Sequence, residues 1–392
     1  MRQLAAAREA LAANDIPTAR KLLQACQKAS PRSAEVQYLA GQAARRDGAL
    51  DEARERLNNA AQLGWVPEAI SFERALLAVQ QGEGEGYLGT LHRWVEEHHP
   101  EASRILEILV PYYLLRFQVH DASWAARAWV EAEPERAQAW VSKGMVAERQ
   151  RNATEAIEAF RRAVELNPQA DEARLMLVRW LLEKNQPEEA GKHLALLVDH
   201  RPSDSQVLYF LARQQTAQGE ASAARQTLER LLAAHPKHAG ALAERGRLKL
   251  AAGEVVEAEA DLLRAAELAP YERDILYQLT LCLRRLNKDT EARTVEKRRL
   301  ALEADLDRLG KITQDIARSP GDPELRREAG EICLRQGRIP DGLNWLNSAL
   351  RENPRHPATH RTLAQHYQMR GQVELARRHA QLAGMAPSSG KE

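Results

Sequence analysis

Three arginines recur at a constant spacing of 34 residues and are the residues best suited to bind a ligand: Arg179, Arg213 and Arg247. A guanidinium presents a planar fork of N–H donors that can hold a carboxylate or a phosphate through two parallel hydrogen bonds. Tyr209 precedes Arg213 by four residues, so the two side chains share a face if the segment is helical. The spacing predicts a row of anion-binding groups, unless the arginines only keep an exposed surface soluble.

Other residues that could do chemistry lack the neighbours that the chemistry requires. His356 and His360 are four residues apart, which would suit a metal pair, but no glutamate completes an HExxH motif. The glycine-rich segment 82–86 lacks the lysine of a phosphate-binding loop and is typical of a turn. No GxSxG motif is present. We therefore expect no catalytic residue, no metal ligand and no cofactor.

A 34-residue period extends over nearly the whole sequence. A small residue recurs at one phase, at Ala7, Gly41, Ala75, Gly144, Ala212, Gly246, Gly330 and Ala364. An alanine follows twelve positions later, at Ala19, Ala53, Ala122, Ala156, Ala190, Ala224, Ala258, Ala292 and Ala376. Prolines close the periods at Pro31, Pro134, Pro168, Pro202, Pro236, Pro270 and Pro354. One such unit cannot bury its own apolar face, so neighbouring units must stack.

This pattern resembles the tetratricopeptide repeat family, whose units place small, aromatic and proline residues at these phases. The fifth unit matches best, through Trp140, Gly144, Ala147, Ala156, Phe160, Ala163 and Pro168. About eleven repeats cover nearly all 392 residues. The resemblance implies an all-α fold, an α-solenoid of paired antiparallel helices that forms a right-handed superhelix.

The period is broken once, between the ninth and tenth repeats. The segment from Thr290 to Arg318 contains no proline and predicts one long helix. Apolar residues recur in it every seven residues, at Val295, Leu302, Leu309 and Ile316. This stripe predicts either packing on the flank of the repeats or a dimer contact through 295–316.

These features predict four segments. Residues 1–289 form the main array, residues 290–318 an extended spacer helix, residues 319–384 a C-terminal pair of repeats, and residues 385–392 a disordered tail.

Composition narrows the class of partner. The chain has 56 basic and 55 acidic residues, a net charge of +1, so no strong field favours nucleic acid. No apolar run approaches the roughly 20 residues that a membrane-spanning helix needs.

Three widely spaced cysteines form no CxxC motif and are typical of small buried residues: Cys26, Cys282 and Cys333.

In the tetratricopeptide repeat family the first helix of each repeat lines a concave groove. By this resemblance, seven residues of this chain face the groove: Arg179, Arg213, Arg247, Tyr209, Tyr277, Tyr38 and Phe72. The arginine row predicts an acidic or carboxylate-bearing peptide as partner along repeats six to nine.

The resemblance implies a non-catalytic scaffold or adaptor for protein–protein interaction. Two alternatives stay open: a membrane-tethered assembly or maturation factor whose N-terminal anchor is missing from this chain, and a regulatory subunit of an enzyme or secretion complex. We expect a cytoplasmic location, with a membrane-anchored extracytoplasmic location as the alternative.

Overall fold

The computed structural model describes residues 2–319 and 321–384, so the predicted disordered tail 385–392 lies outside the described residues. The described residues form two compact units. The N-terminal unit ends at Glu155, and the C-terminal unit begins at Ala156. Both consist of α-helices joined by short turns, and neither described range contains a strand. The predicted all-α fold is confirmed, whereas the domain boundaries predicted at residues 289 and 318 stay predictions.

The N-terminal unit contains nine helices and one short 3-10 helix among its described residues. The helices are α1 (Arg2–Ala12), α2 (Ile16–Ala29), α3 (Ala34–Arg46), α4 (Leu50–Gln62), α5 (Pro67–Gln80), α6 (Leu88–Glu96), α7 (Ala102–Leu115), α8 (Val119–Ala132) and α9 (Ala137–Arg149). The 3-10 helix covers Gly84–Tyr87 and overlaps the glycine-rich segment 82–86, for which a turn is predicted. Helix α10 (Ala153–Leu166) continues into the C-terminal unit.

The C-terminal unit continues with twelve further helices in its described part. They are α11 (Asp171–Glu183), α12 (Pro187–His200), α13 (Ser205–Ala217), α14 (Ala221–Ala234), α15 (Ala239–Ala251), α16 (Val255–Leu268), α17 (Arg273–Arg285), α18 (Asp289–Arg318), α19 (Pro323–Arg335), α20 (Ile339–Glu352), α21 (Pro357–Met369) and α22 (Val373–Leu382). Successive helices pack in pairs, α11 on α12 through α21 on α22, and the second helix of each pair packs on the next pair.

The small residues of the 34-residue period lie where two helices of a pair come closest. A methyl group added at Gly246 would lie 2.7 Å from Leu262, and one added at Gly330 would lie 2.7 Å from Leu346. Both leucines are fully buried. At these positions the period therefore places a small residue on the first helix of a pair and a large apolar side chain opposite it on the second helix.

A polar N–H donor recurs at the start of several first helices and secures the preceding turn. Each donor bonds the carbonyl oxygen of a proline six residues earlier: Gln37 to Pro31 at 2.9 Å, Trp140 to Pro134 at 2.8 Å, Arg174 to Pro168 at 2.6 Å and His360 to Pro354 at 3.0 Å. These bonds satisfy a carbonyl that the ended helix leaves without a partner. His360 is buried, so it has a structural role in this turn.

The predicted long helix is present as α18. Val295 is buried and Leu302 is partly buried, and both pack into the apolar cluster formed with α14 to α17. Arg308 joins α18 to Glu328 of α19 through two hydrogen bonds of 2.6 and 2.5 Å. These contacts favour packing on the flank of the repeats, and the dimer contact through 295–316 stays a prediction.

Candidate functional site

Four first helices of the C-terminal unit line one open cleft of about 1240 Å³. They are α11, α13, α15 and α17, the first helices of repeats six to nine. Five of the seven residues predicted to face the groove lie in this arginine–tyrosine cleft: Arg179, Arg213, Arg247, Tyr209 and Tyr277. Equivalent positions of stacked repeats share an orientation, so a constant spacing in sequence becomes a common surface.

Tyr209 forms an aromatic wall of the cleft. Its ring packs against His238, with ring centroids 5.2 Å apart, and against Phe210 at 5.6 Å. Gly240 leaves the space that the ring fills, because a methyl group there would lie 3.0 Å from Tyr209. Burial raises the pKa of the Tyr209 hydroxyl, with smaller contributions from nearby charges. The hydroxyl therefore stays protonated and can donate a hydrogen bond.

Arg213 and Arg247 differ in the partners they already have. Arg247 donates to both carboxylate oxygens of Glu244, at 3.1 and 2.6 Å, and these hydrogen bonds raise its pKa. The guanidinium carbon of Arg213 lies 5.8 Å from the centroid of the Tyr209 ring, a cation–π arrangement. Arg213 makes no ion pair with any residue that the structure describes. It is therefore the cation of the cleft best placed to receive an anion.

The other two predicted residues of the cleft lie at its two ends. The guanidinium carbon of Arg179 is 5.8 Å from the centroid of the Trp180 ring. Tyr277 is 48 % exposed, and the guanidinium carbon of Arg299 lies 5.9 Å from its ring centroid. An extended ligand along the cleft would therefore meet an aromatic ring that is open to solvent.

The charges of the cleft are balanced rather than basic. The cleft is lined by Arg179, Arg213, Arg247 and Arg273, and by Glu183, Glu244, Glu272 and Asp274. Sequence reasoning missed these carboxylates, although Glu272 and Asp274 flank the start of α17 and could be read from the repeat register. The arrangement suits a segment that carries charges of both signs.

Tyr38 and Phe72 lie in the N-terminal unit and not in this cleft. Tyr38 stacks on Trp65 with ring centroids 5.2 Å apart, and burial raises its pKa to about 12. Phe72 is 7 % exposed and packs against Trp94 and His99. The structure therefore gives both aromatic residues packing partners, and leaves Phe72 little surface for a ligand.

The predicted core cysteines are buried and free of disulfide bonds. Across residues 2–319 and 321–384, no helix combines the length and apolarity needed to cross a membrane.

Two family models match parts of the sequence. The TPR domain of cytochrome c-type biogenesis protein H matches residues 117–242, and a general tetratricopeptide repeat model matches residues 4–68. No curated protein matches the sequence.

The solved structures that align with parts of this chain include the following three. PilW, a widely conserved type IV pilus biogenesis factor, is 21% identical, with 53% of this chain and 94% of PilW covered and a TM-score of 0.43. YrrB, a TPR protein with an unusual peptide-binding site, is 18% identical, with 48% and 96% covered and a TM-score of 0.41. A repeat protein from Parabacteroides merdae is 18% identical, with 72% and 98% covered and a TM-score of 0.38. At these scores the similarities carry no conclusion about function.

The stacked helix pairs define the class: a helical-repeat protein whose successive first helices line a common cleft. The 34-residue period and the two family models identify the family. The chain is a tetratricopeptide repeat protein. Repeats of this family are generally non-catalytic and serve as scaffolds for protein–protein interaction, and this chain has that architecture.

Proposed function

We propose that the chain is a non-catalytic scaffold that binds an extended segment of a partner protein in the arginine–tyrosine cleft. The observation that carries the proposal is the alignment of Tyr209, Arg213, Arg247 and Tyr277 on one open surface of about 1240 Å³. This volume exceeds the roughly 300–1,000 Å³ of small-molecule pockets and suits several residues of a peptide. Stacked helices hold the surface in place, so binding costs little reorganisation of the scaffold.

We expect an acidic residue of the partner to bind at Arg213. Arg247 already has a carboxylate partner in Glu244, so a second carboxylate would compete for the same donors. Arg213 lies on the Tyr209 ring without an ion pair to a described residue, so a ligand carboxylate there gains a charge-assisted hydrogen bond. Glu272 and Asp274, further along the cleft, favour a basic residue of the same segment.

The test compares a variant in the cleft with a matched variant outside it. Arg213→Glu reverses the charge at the proposed carboxylate site. Arg264→Glu reverses an exposed arginine of α16, whose ion pair with Glu267 lies at the surface. A library of displayed peptides should yield acidic and aromatic sequences on the native chain and on Arg264→Glu, and lose them on Arg213→Glu. Equal selection by all three proteins would rule out this cleft as the binding site.

A second candidate function is an assembly or maturation factor. It is supported by the match of residues 117–242 to the TPR domain of a cytochrome c-type biogenesis protein. In this role the same cleft would hold an apoprotein or another assembly component. Disruption of the gene should then lower the amount of covalently bound haem in c-type cytochromes, which haem staining of gels measures. Unchanged haem attachment would reject the role in cytochrome c assembly and leave the first proposal, a scaffold that binds a partner protein.

A further inference from the structure

A second cleft, in the N-terminal unit, has a different chemistry. It has a volume of about 370 Å³, near the lower limit for small-ligand pockets. Helices α1, α3 and α7 line it, together with residues at the junction of α8 and α9. Four arginines face it: Arg8, Arg46, Arg104 and Arg136. We name it the Arg46 cleft.

Three of these arginines are neutralised by carboxylates. Arg8 pairs with Glu35, and Arg136 pairs with Glu133 at 3.2 Å and with Glu107 at 3.8 Å. Arg104 pairs with Glu101 at 2.7 Å and with the buried Glu73. Because carboxylates already pair with these three arginines, none of them is the free cation of the cleft.

Arg46 is the exception. Its Nη1 donates at 2.7 Å to the main-chain carbonyl of Leu11, an uncharged acceptor, and it makes no ion pair with a described residue. Burial, together with the nearby Arg104 and Arg45, lowers its pKa. The Nε of Arg104 is also buried without a hydrogen-bond partner. The cleft thus contains one guanidinium that has spare N–H donors and no carboxylate partner among the described residues.

Arg285 makes the same main-chain contact as Arg46 but is exposed. It occupies the equivalent position in the ninth repeat, and its Nη1 donates at 2.7 Å to the carbonyl of Leu250 at the end of the preceding first helix. The bond to Leu11 is therefore a recurring structural contact. What distinguishes Arg46 is its position in a cleft beside Arg45 and Arg104, whereas Arg285 is exposed.

From these contacts we propose that the Arg46 cleft binds an oxyanion group, a phosphate or a carboxylate, of a small ligand. The guanidinium of Arg46 would hold the anion through charge-assisted hydrogen bonds while keeping its bond to Leu11. Glu107, which lines the same cleft, opposes the anion and limits its affinity. This site lies in a different compact unit from the arginine–tyrosine cleft and does not depend on the function proposed for it.

The test is calorimetric titration of the full chain with inorganic phosphate and with citrate, at constant ionic strength so that screening does not change. We expect saturable binding of at least one anion. Tighter binding of inorganic phosphate would indicate a phosphate ligand, and tighter binding of citrate would indicate a carboxylate ligand. Arg46→Met should weaken this binding by about tenfold or more, as expected for the loss of charged hydrogen bonds. Arg285→Met loses the same main-chain contact and should bind as the native chain does.

Glu107→Gln provides a test that does not require removal of a partly buried arginine. It deletes a negative charge at the cleft and one of the two carboxylate partners of Arg136, so it should tighten the binding of the anion. Absence of saturable binding to both anions overturns the proposal. It is also overturned if Arg46→Met and Arg285→Met weaken binding equally, or if Glu107→Gln leaves binding unchanged.

Discussion

Arg45 donates from its Nε to the Oε2 atom of Glu73 at 2.7 Å, and both side chains are almost completely buried, with 3% and 0% exposed. Gln42 donates to the other carboxylate oxygen at 2.7 Å, and Arg104 also pairs with it. The carboxylate of α5 thus joins α3 to α7, the first helices on either side. Burial alone would raise the pKa of Glu73, but Arg45 and Arg104 outweigh it and hold the pKa below its ordinary value.

Glu73→Gln should destabilise the N-terminal unit strongly. The amide keeps the shape of the carboxylate but leaves Arg45 with an uncompensated buried charge, a change that typically costs about 3–5 kcal/mol. Urea unfolding followed by circular dichroism measures it. Glu267→Gln removes one partner of the exposed pair with Arg264 and should change stability by less than about 1 kcal/mol. A similarly small effect of Glu73→Gln would show that the buried network contributes no net stability.

Two identical glycine substitutions should have opposite effects. At Gly330 an added methyl group would lie 2.7 Å from Leu346 and 3.1 Å from the carbonyl oxygen of Gly342. Gly330→Ala should therefore destabilise α19 and α20 by about 1–3 kcal/mol through overpacking. Gly310 lies inside α18 with nothing within 4 Å of the added methyl group.

Gly310→Ala should stabilise the chain by about 0.5–1 kcal/mol, because alanine loses less backbone entropy than glycine in a helix. Thermal unfolding of both variants against the native chain measures the difference in sign. If Gly330→Ala does not lower the unfolding temperature, the contact at Gly330 does not set the spacing of the two helices.

The repeat register explains which parts of the cleft could be predicted. Positions 34 residues apart occupy equivalent places on stacked helices, so Arg179, Arg213 and Arg247 could be placed together from sequence alone. The ion pair between Arg247 and Glu244 could not be predicted in the same way, because several carboxylates line the same cleft. The spacing of residues in the repeat predicts which surface a side chain faces. Which ion pair it forms depends on the side-chain rotamers that packing allows.

The Glu73 network was missed for the same reason. Its two arginines lie 28 and 31 residues from Glu73, each less than one period away, so no repeat position identifies the partnership. The hydrogen bonds to the proline carbonyls were not predicted either. Their donors are four different residue types that have in common only a side-chain N–H group able to contact the carbonyl: Gln37, Trp140, Arg174 and His360. At this repeat position, the presence of a side-chain N–H donor therefore predicts the hydrogen bond better than the residue type does.

Acid should loosen the last helix pair through two histidines. The Nδ1 atoms of His360 and His379 are 2.9 Å apart, and the Nε2 of His360 lies 3.0 Å from the carbonyl oxygen of Pro354. A neutral His360 that donates to Pro354 must accept at Nδ1, so His379 donates there. Burial, then the nearby His360 and Arg378, lower the pKa of His379 below its ordinary 6.5. Because Nδ1 of His379 already carries a proton, acid adds the second proton at its Nε2 atom, and burial, His360 and Arg378 all disfavour the resulting charge.

Because the folded pKa of His379 is depressed, the unfolded chain binds the proton more readily. The contribution to stability is then complete above about pH 6.5 and is lost as the pH falls toward the folded pKa. Hydrogen exchange of the amides of α22 should be faster at pH 5.5 than at pH 7.5, after correction for intrinsic exchange rates. His379→Gln keeps an N–H donor that does not titrate and should flatten this dependence. The burial of His366 also lowers its pKa, so His366→Gln separates the two contributions. Equal pH dependence in the native chain and in His379→Gln would show that this histidine pair does not control the docking of α22.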